Sequence, residues 1–119
     1  MEHEIEKLMV NSGDDLFYTP AFRNMIENHL PDLTDPAHCV NIVVDNNVAD
    51  SADGDFYVLL HHYKVRPEHH WTCLRMNQLT APSQYKSNIV HILVPREDFI
   101  KKLVKRFKTS QAMGVKRKK

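Results

Sequence analysis

The apolar positions of this chain follow two spacings, one typical of strands and the other typical of helices. Val40–Val44 and Ile89–Val94 are β-branched runs flanked by turn-forming residues, so each predicts a strand. Between them the helical period recurs twice, first in Phe56, Leu59, Leu60 and Tyr63 and then in Trp71, Leu74 and Met76. The polar stretch Asp45–Asp53 predicts a solvated loop before these helices. Residues 37–95 therefore predict a small βααβ module whose core brings together Trp71, Leu74, Phe56, Leu60 and Ile92.

Helical segments are also predicted before this module. Apolar residues within 2–10 have a helical spacing. Thr19 and Pro20 are the residue types favoured as the N-cap and the first residue of a second helix. That helix should end at Pro31–Pro36, a linker whose prolines disfavour regular structure. We therefore assign residues 1–36 to an N-terminal helical arm and linker.

A charged amphipathic helix is predicted after the module. Glu97 and Asp98 lie where carboxylates favour the start of a helix. An apolar stripe follows, with lysine and arginine on the opposite face, and consists of Phe99, Ile100, Leu103, Val104 and Phe107. Gly114–Lys119 predicts an irregular basic tail. Residues 96–119 thus form a C-terminal amphipathic helix and tail, and the predicted fold class is α+β.

Composition narrows the class of protein. A length of 119 residues fits one small domain with extensions. The sequence contains no apolar run near the ~20 residues that a membrane helix needs. The acidic N-terminus lacks the apolar stretch of a secretory signal, so we expect synthesis in a cytoplasm-like compartment. There, Cys39 and Cys73 should remain buried free thiols.

The net charge of +1 conceals a strong asymmetry along the chain. Residues 1–60 hold twelve Asp and Glu against only Lys7 and Arg23, a formal charge of −10. Residues 99–119 hold nine Lys and Arg and no acidic residue. This separation extends over tens of residues, well beyond a screening length of about 8 Å. We therefore expect one end of the chain to favour a basic partner and the other an acidic one.

Residues with catalytic or metal-binding potential are few. His69 and Cys73 have the i, i+4 spacing of ligands on one helix face, but a zinc site needs three or four converging ligands. The chain has neither a C-x-x-C nor an H-E-x-x-H motif. Asp53 and Asp55 lie at a predicted helix start, where carboxylates more often cap backbone N–H groups. We expect no catalytic residues, no cofactor and no metal site.

The order and spacing of three markers resemble the LysM family. Gly54-Asp55 stands where that family opens its first helix, Asn77-Gln78-Leu79 matches the turn after the second, and Val90–Pro95 matches the closing strand. The Trp71-x-x-Leu74-x-x-Asn77 segment is similar to one in LysM-like domains of contractile phage baseplate wedge proteins. The resemblance covers about half of the chain. It implies a LysM-like βααβ block with a structural role in a virion.

The same resemblance implies where a glycan groove would lie in a sugar-binding member of the family. It would form between residues 45–53 and residues 79–88. The first of these loops is longer and more acidic here than the tight strand-to-helix turn of glycan-binding LysM repeats. Tyr85 is the only ring available for stacking on a sugar. This departure argues against glycan binding.

Contacts with partners are expected from the segments outside the module. The predicted partner-binding residues are Phe17, Tyr18, Phe22, Phe99, Ile100, Leu103, Val104, Phe107, Lys116, Arg117, Lys118 and Lys119. The apolar stripe has a second interpretation, packing on the chain's own core. A module this small would struggle to cover both the stripe and the aromatic residues near Phe17, which favours burial against a neighbour.

These observations predict a non-enzymatic structural component of a bacteriophage virion. Its place would be the tail or baseplate, its partners other tail subunits, and its assembly site the host cytoplasm, with no membrane contact. One alternative is a LysM-type module that binds peptidoglycan or chitin. Another is a connector that contacts nucleic acid through the basic tail, although the tail lacks the aromatic residues that stack on bases.

Overall fold

The structure is a computed structural model that describes residues 15–117, with side chains described for residues 15–110. The helix predicted over residues 2–10 lies outside this range. In chain order the elements are a 3-10 turn at Asp15–Tyr18, α1 (Pro20–Asn28), α2 (Leu30–Leu33), β1 (Cys39–Val43), α3 (Asn46–Ser51), α4 (Phe56–His62), a 3-10 turn at Pro67–His69, α5 (His70–Met76), a 3-10 turn at Pro82–Gln84, β2 (His91–Pro95) and α6 (Glu97–Arg117). This mixture of helices with a two-stranded antiparallel sheet confirms the α+β class.

Two predicted helix starts are confirmed by their capping geometry. The Thr19 hydroxyl accepts a hydrogen bond from the Phe22 N–H at 3.2 Å at the start of α1. The Asp55 carboxylate accepts from the first N–H groups of α4, with the Tyr57 N–H at 3.1 Å. Gly54, just before this cap, has a φ of +82°, which L side chains rarely adopt. Space does not restrict the position, because a Cβ there would meet no atom within 4 Å.

The segment Asp45–Asp53 is not the solvated loop that we expected. Asp45 caps α3 by accepting from the Asn47 N–H at 2.9 Å. Ala49 and Ala52 are three residues apart, so they lie on the same face of this segment, and both are buried in the protein interior. The linker at Pro31–Pro36 was also predicted wrongly at its start, since Pro31 lies in the first turn of α2, where its missing N–H costs little.

The sheet is held from both edges of β2. β1 pairs with β2 in antiparallel register, with Ile42 opposite Ile92. On the other edge, the Asn77 side chain accepts from the Leu93 N–H at 2.8 Å and donates to the Leu93 carbonyl at 2.9 Å. It also donates to the Cys73 carbonyl at 2.7 Å, which ties the end of α5 to β2. Asn77 therefore satisfies backbone groups that a third strand would otherwise pair.

Two hydrophobic clusters form the interior. The first, which we call the module core, contains the predicted set Phe56, Leu60, Leu74 and Ile92 and is completed by Val44, Ala49, Ala52, Leu59, Cys73, Leu79 and Tyr85. The second, the terminal core, consists of Phe22, Ile26, Leu33, Cys39, Met76, Ile100 and Leu103. Trp71 is half-buried and packs against both cores. The predicted core is confirmed, with Trp71 at its boundary.

The segments before and after the module pack on it and on each other. α1 contributes Phe22 and α6 contributes Leu103 to the same cluster as Met76 of α5. Arg75 of α5 donates from Nε to Glu27 of α1, and the Arg23 guanidinium lies 4.9 Å from the centre of the Trp71 ring. Much of the apolar surface of the two flanking segments is thus covered within the chain, by each other and by Cys39 and Met76 of the module.

Candidate partner-binding surfaces

The predicted aromatic cluster is present, but only part of it is accessible. Phe17 meets Phe22 edge-on at 5.2 Å between ring centres, and Phe22 meets Phe107 edge-on at 5.4 Å. Phe22 is 1% exposed, whereas Tyr18 is 44% exposed. Phe17 and Phe107 are half-buried at the margin of the terminal core. Phe22 is therefore closed to a partner in the folded chain, which corrects our expectation for that residue.

The apolar stripe of α6 divides in the same way. Ile100 and Leu103 are buried in the terminal core, which corrects their assignment as partner-binding residues. Phe99 and Val104 remain half-buried. The Phe99 ring stacks on the His38 imidazole at 4.1 Å with an interplanar angle of 10°. The structure thus favours the second interpretation of the stripe, packing within the chain.

The basic end of the chain continues α6 instead of forming an irregular tail from Gly114. The helix reaches Arg117, so the backbone of Lys116 and Arg117 is helical. The side chains of these two residues, and all of Lys118 and Lys119, lie outside the described part. Among the side chains that the structure describes, Phe107 is the last in α6 that packs against a core. The helical backbone continues for ten more residues, about 15 Å.

A concave site, which we call the α6 groove, runs along Glu97–Thr109 and has a volume of about 610 Å³. Its apolar lining comes from Phe17, Ile100 and Val104. Its cationic lining includes Lys101 and Lys105, which are exposed and have no ion-pair partner among the described residues. Arg66 and Lys108 also line the groove, and these four cationic side chains outnumber the carboxylates of Glu68 and Glu97. The groove therefore combines apolar contact area with net positive charge.

The 3-10 turn at Pro67–His69 gives the groove a polar lining that is unusual in its burial. Glu68 pairs with Arg66 at 2.9 Å, yet the Glu68 side chain is only 4% exposed. Glu68 Oε1 and His69 Nδ1 are buried and have no hydrogen-bond partner in the described part of the chain. Most buried polar atoms in proteins do find such a partner. This turn is therefore the strongest indication of a binding site.

Burial also determines the charge of His69. Loss of solvent lowers the pKa of the imidazole, and Glu68 beside it opposes the shift only in part. The Phe17 ring packs edge-on against the same imidazole at 5.3 Å. His69 is therefore neutral at neutral pH.

Sequence reasoning missed the α6 groove. Arg66-Pro67 has the sequence pattern of a helix end, and nothing local indicates that Glu68 is buried. The spacing of Lys101 and Lys105, one helical turn apart, does indicate from the sequence that both lie on the same helix face. Their relation to Phe17 depends on tertiary packing between distant segments and could not be seen in the pattern.

The two loops expected to border a glycan groove are bonded to each other. Asp53 accepts from the Ser87 N–H at 2.8 Å, and the Gly54 N–H donates to the Tyr85 carbonyl at 2.8 Å. Tyr85 is fully buried, and its hydroxyl donates to the Ile89 carbonyl at 2.7 Å. The expectation that this ring is available for stacking on a sugar was wrong, because the ring belongs to the module core.

The cysteines are free and buried, as predicted. Burial raises the pKa of the Cys73 thiol strongly and, together with Asp35, also raises that of Cys39. Neither thiol is therefore an activated nucleophile at neutral pH. Within residues 15–117, His, Cys, Asp and Glu side chains nowhere form a group of three or more that could hold a metal ion.

Comparison with known proteins gives no relative. No family model, curated protein or solved structure matches this chain. The helices of residues 15–117 also include none with the length and apolar character needed to cross a membrane. The function of the protein is therefore inferred from the geometry of the chain itself.

Proposed function

We propose that this chain is a non-enzymatic structural component of a bacteriophage virion, placed in the tail or baseplate, where it joins neighbouring subunits. In this proposal residues 37–95 are a LysM-like block, and α6 is the element that reaches a neighbour. The observation that carries the proposal is the extension of a basic helix beyond the packed body of the protein. Its support comes from the shape of the molecule, its charge and the roles of the marker residues.

The shape supports a connecting role. The radius of gyration is 15.9 Å, compared with about 13 Å for a compact chain of this length. The longest dimension is 55 Å and the shortest is 23 Å. A helical segment beyond the cores needs tertiary packing for most of its stability. Contact with another subunit would supply that packing.

The charge of α6 defines the partner. Its outer face exposes Lys101, Lys102, Lys105 and Arg106, and four more basic residues follow after Gly114. An acidic protein surface would complement this charge and fix the orientation of the helix more than it would add affinity. The earlier alternative of nucleic acid would use the same charge, but none of the residues from 108 onward is aromatic.

The marker residues support a LysM-like block in which these positions have structural roles. Gly54 and Asp55 start α4, and Asn77 joins α5 to β2. Gly54, Asp55 and Asn77 do not line the α6 groove or two smaller cavities in the described part of the chain. This arrangement favours assembly over the glycan-binding alternative.

Truncation after Phe107 tests the proposal. Both cores lie within residues 15–107, so the truncated chain should keep the far-UV circular dichroism and unfolding cooperativity of the parent. It should be absent from purified particles, as measured by mass spectrometry after production with the neighbouring genes. Serine substitutions at Thr109 and Gln111 serve as a full-length control. Incorporation of the truncated chain at the parental level would refute the proposed role of α6.

A further inference from the structure

The α6 groove has a combination of features that the projecting end of α6 does not explain. It lies beside the first half of the helix, where Ile100 is already packed in the terminal core. Its volume of about 610 Å³ falls within the range of ligand-binding clefts. Phe17 and Val104 stay half-buried along it, so a bound partner could cover further apolar surface.

The polar groups define what such a partner must offer. Lys101 and Lys105 lie one helical turn apart, about 6 Å along the axis, and line the same groove. They call for negative charges that repeat at a similar distance. Glu68 Oε1 and His69 Nδ1 are at least nine-tenths buried side chains that lack a partner in residues 15–110. Both residues also line the groove, so it has a polar wall whose hydrogen-bonding capacity is unmet within residues 15–110.

We propose that the α6 groove binds an acidic amphipathic helix of a partner protein. Such a helix presents carboxylates at i and i+4, which match the spacing of Lys101 and Lys105 when it packs along α6. Its apolar face covers Phe17 and Val104, and polar side chains at its edge reach the turn at Pro67–His69. A small anion would satisfy the lysines alone and would leave the apolar lining open.

A designed peptide tests this inference with the full chain. The probe is a fluorescein-labelled helix of about 18 residues, with leucines along one face and glutamates at i, i+4 spacing beside them. Fluorescence anisotropy measures its affinity. The reference peptide has the same composition in scrambled order, which removes the amphipathic face. We expect the designed peptide to bind at least about tenfold more tightly than the reference.

Charge reversal then locates the site. The double variant Lys101→Glu/Lys105→Glu should weaken binding about tenfold or more, because both rim charges become repulsive. The matched control Lys86→Glu/Lys102→Glu changes the net charge equally at exposed lysines outside the groove and should change the affinity less than about twofold. Amide NMR shifts on binding should concentrate at Phe17, His69 and Val104.

Several results would overturn the inference. Equal affinity of the two peptides would show a non-specific charge effect, as would equal loss in the two double variants. Absence of binding up to about 1 mM would exclude an acidic helix as the occupant. The proposed virion function is tested separately. The Lys101→Glu/Lys105→Glu variant keeps the whole of α6, whereas the truncation after Phe107 keeps both lysines and removes only Lys108 and Thr109 from the lining of the groove.

Discussion

The two cores of this protein differ in how completely they close. The module core comes from one continuous stretch of chain. The Tyr85 hydroxyl within it and the Asn77 amide at the edge of the sheet are both hydrogen-bonded. The terminal core is assembled from both flanking segments and is bordered by half-buried aromatic side chains. Within residues 15–110, three buried side-chain atoms have no hydrogen-bond partner: Arg23 Nε, Glu68 Oε1 and His69 Nδ1. All belong to α1 or to the turn beside Phe17.

This difference separates the parts of the molecule that maintain the fold from those that can recognise a partner. A closed core with satisfied polar groups gains nothing from a ligand. Where segments from distant parts of the chain pack together, grooves remain between them, and the α6 groove lies between α6, Phe17 and the turn at Pro67–His69. Interaction surfaces should therefore be sought along the terminal core, and variants in the two regions should behave differently.

The largest expected effect is in the module core. Phe56→Ala should lower the free energy of unfolding by about 3–5 kcal/mol, because the ring is fully buried and its loss leaves a cavity. Phe107→Ala, at the half-buried margin of the terminal core, is the matched comparison and should cost less than half as much. Urea denaturation followed by Trp71 fluorescence measures both. Equal losses would remove the distinction between the two cores.

A smaller effect is expected at the Asn77 bridge. Asn77→Ala removes both hydrogen bonds to Leu93 and the one to the Cys73 carbonyl. It should destabilise the protein by about 1–3 kcal/mol, since backbone groups of β2 lose their partner. The control Asn88→Ala changes an exposed asparagine and should have little effect. A loss below about 0.5 kcal/mol for Asn77→Ala would show that water replaces the amide.

The terminal core should respond to pH through His69. Burial lowers the pKa of this imidazole below its unfolded value of 6.5, so the unfolded chain binds more protons as the pH falls. The contribution of His69 to the free energy of unfolding is therefore fully present above about pH 6.5. It is lost as the pH falls towards the folded pKa, by at most about 1.4 kcal/mol per pH unit. His70, whose pKa burial also lowers, adds to the effect.

The measurement is urea denaturation at pH 5, 6 and 7. His69→Gln should flatten this dependence, whereas the exposed control His91→Gln should retain it. An unchanged slope in His69→Gln would place the titrating group elsewhere. The window lies above the range where most carboxylates titrate, which isolates the histidines.

The smallest expected effect is an absence of binding. Titration calorimetry with chitin oligomers or peptidoglycan fragments should detect no heat of association, because Tyr85 is buried and residues 45–53 expose Asp45, Asp50 and Asp53. Alanine substitutions of these three aspartates provide the comparison. Micromolar binding that these substitutions alter would show that the module itself carries a binding surface, contrary to the difference drawn between the two cores.

Local patterns predicted the elements that depend on neighbouring residues. Thr19-Pro20 and Gly54-Asp55 identify helix starts because their effect is confined to one turn. The periodic apolar residues around Phe56 predicted members of the module core, because local spacing determines which face of a helix is apolar. Helix α3 was missed because its polar composition outweighed the weak apolar spacing that buries Ala49.

The terminal core and the groove could not be predicted in this way. Phe22 and Leu103 are separated by most of the chain, and only the packed structure shows that they share a cluster. The partnerless atoms of Glu68 and His69 arise from the same long-range packing. A sequence can show that a stripe is apolar, but it does not show which surface covers the stripe.

The Asn77 bridge also limits how the sheet can grow. Its amide occupies the backbone groups of Leu93 on the outer side of β2, so that side offers no free template at this position. An additional strand, whether from a neighbour or from misassembly, would have to align with β1, where Val40 and Val43 are 47% and 69% exposed. A single side chain therefore closes the outer side of β2 to a further strand at Leu93, which leaves β1 as the strand on which one would have to pair.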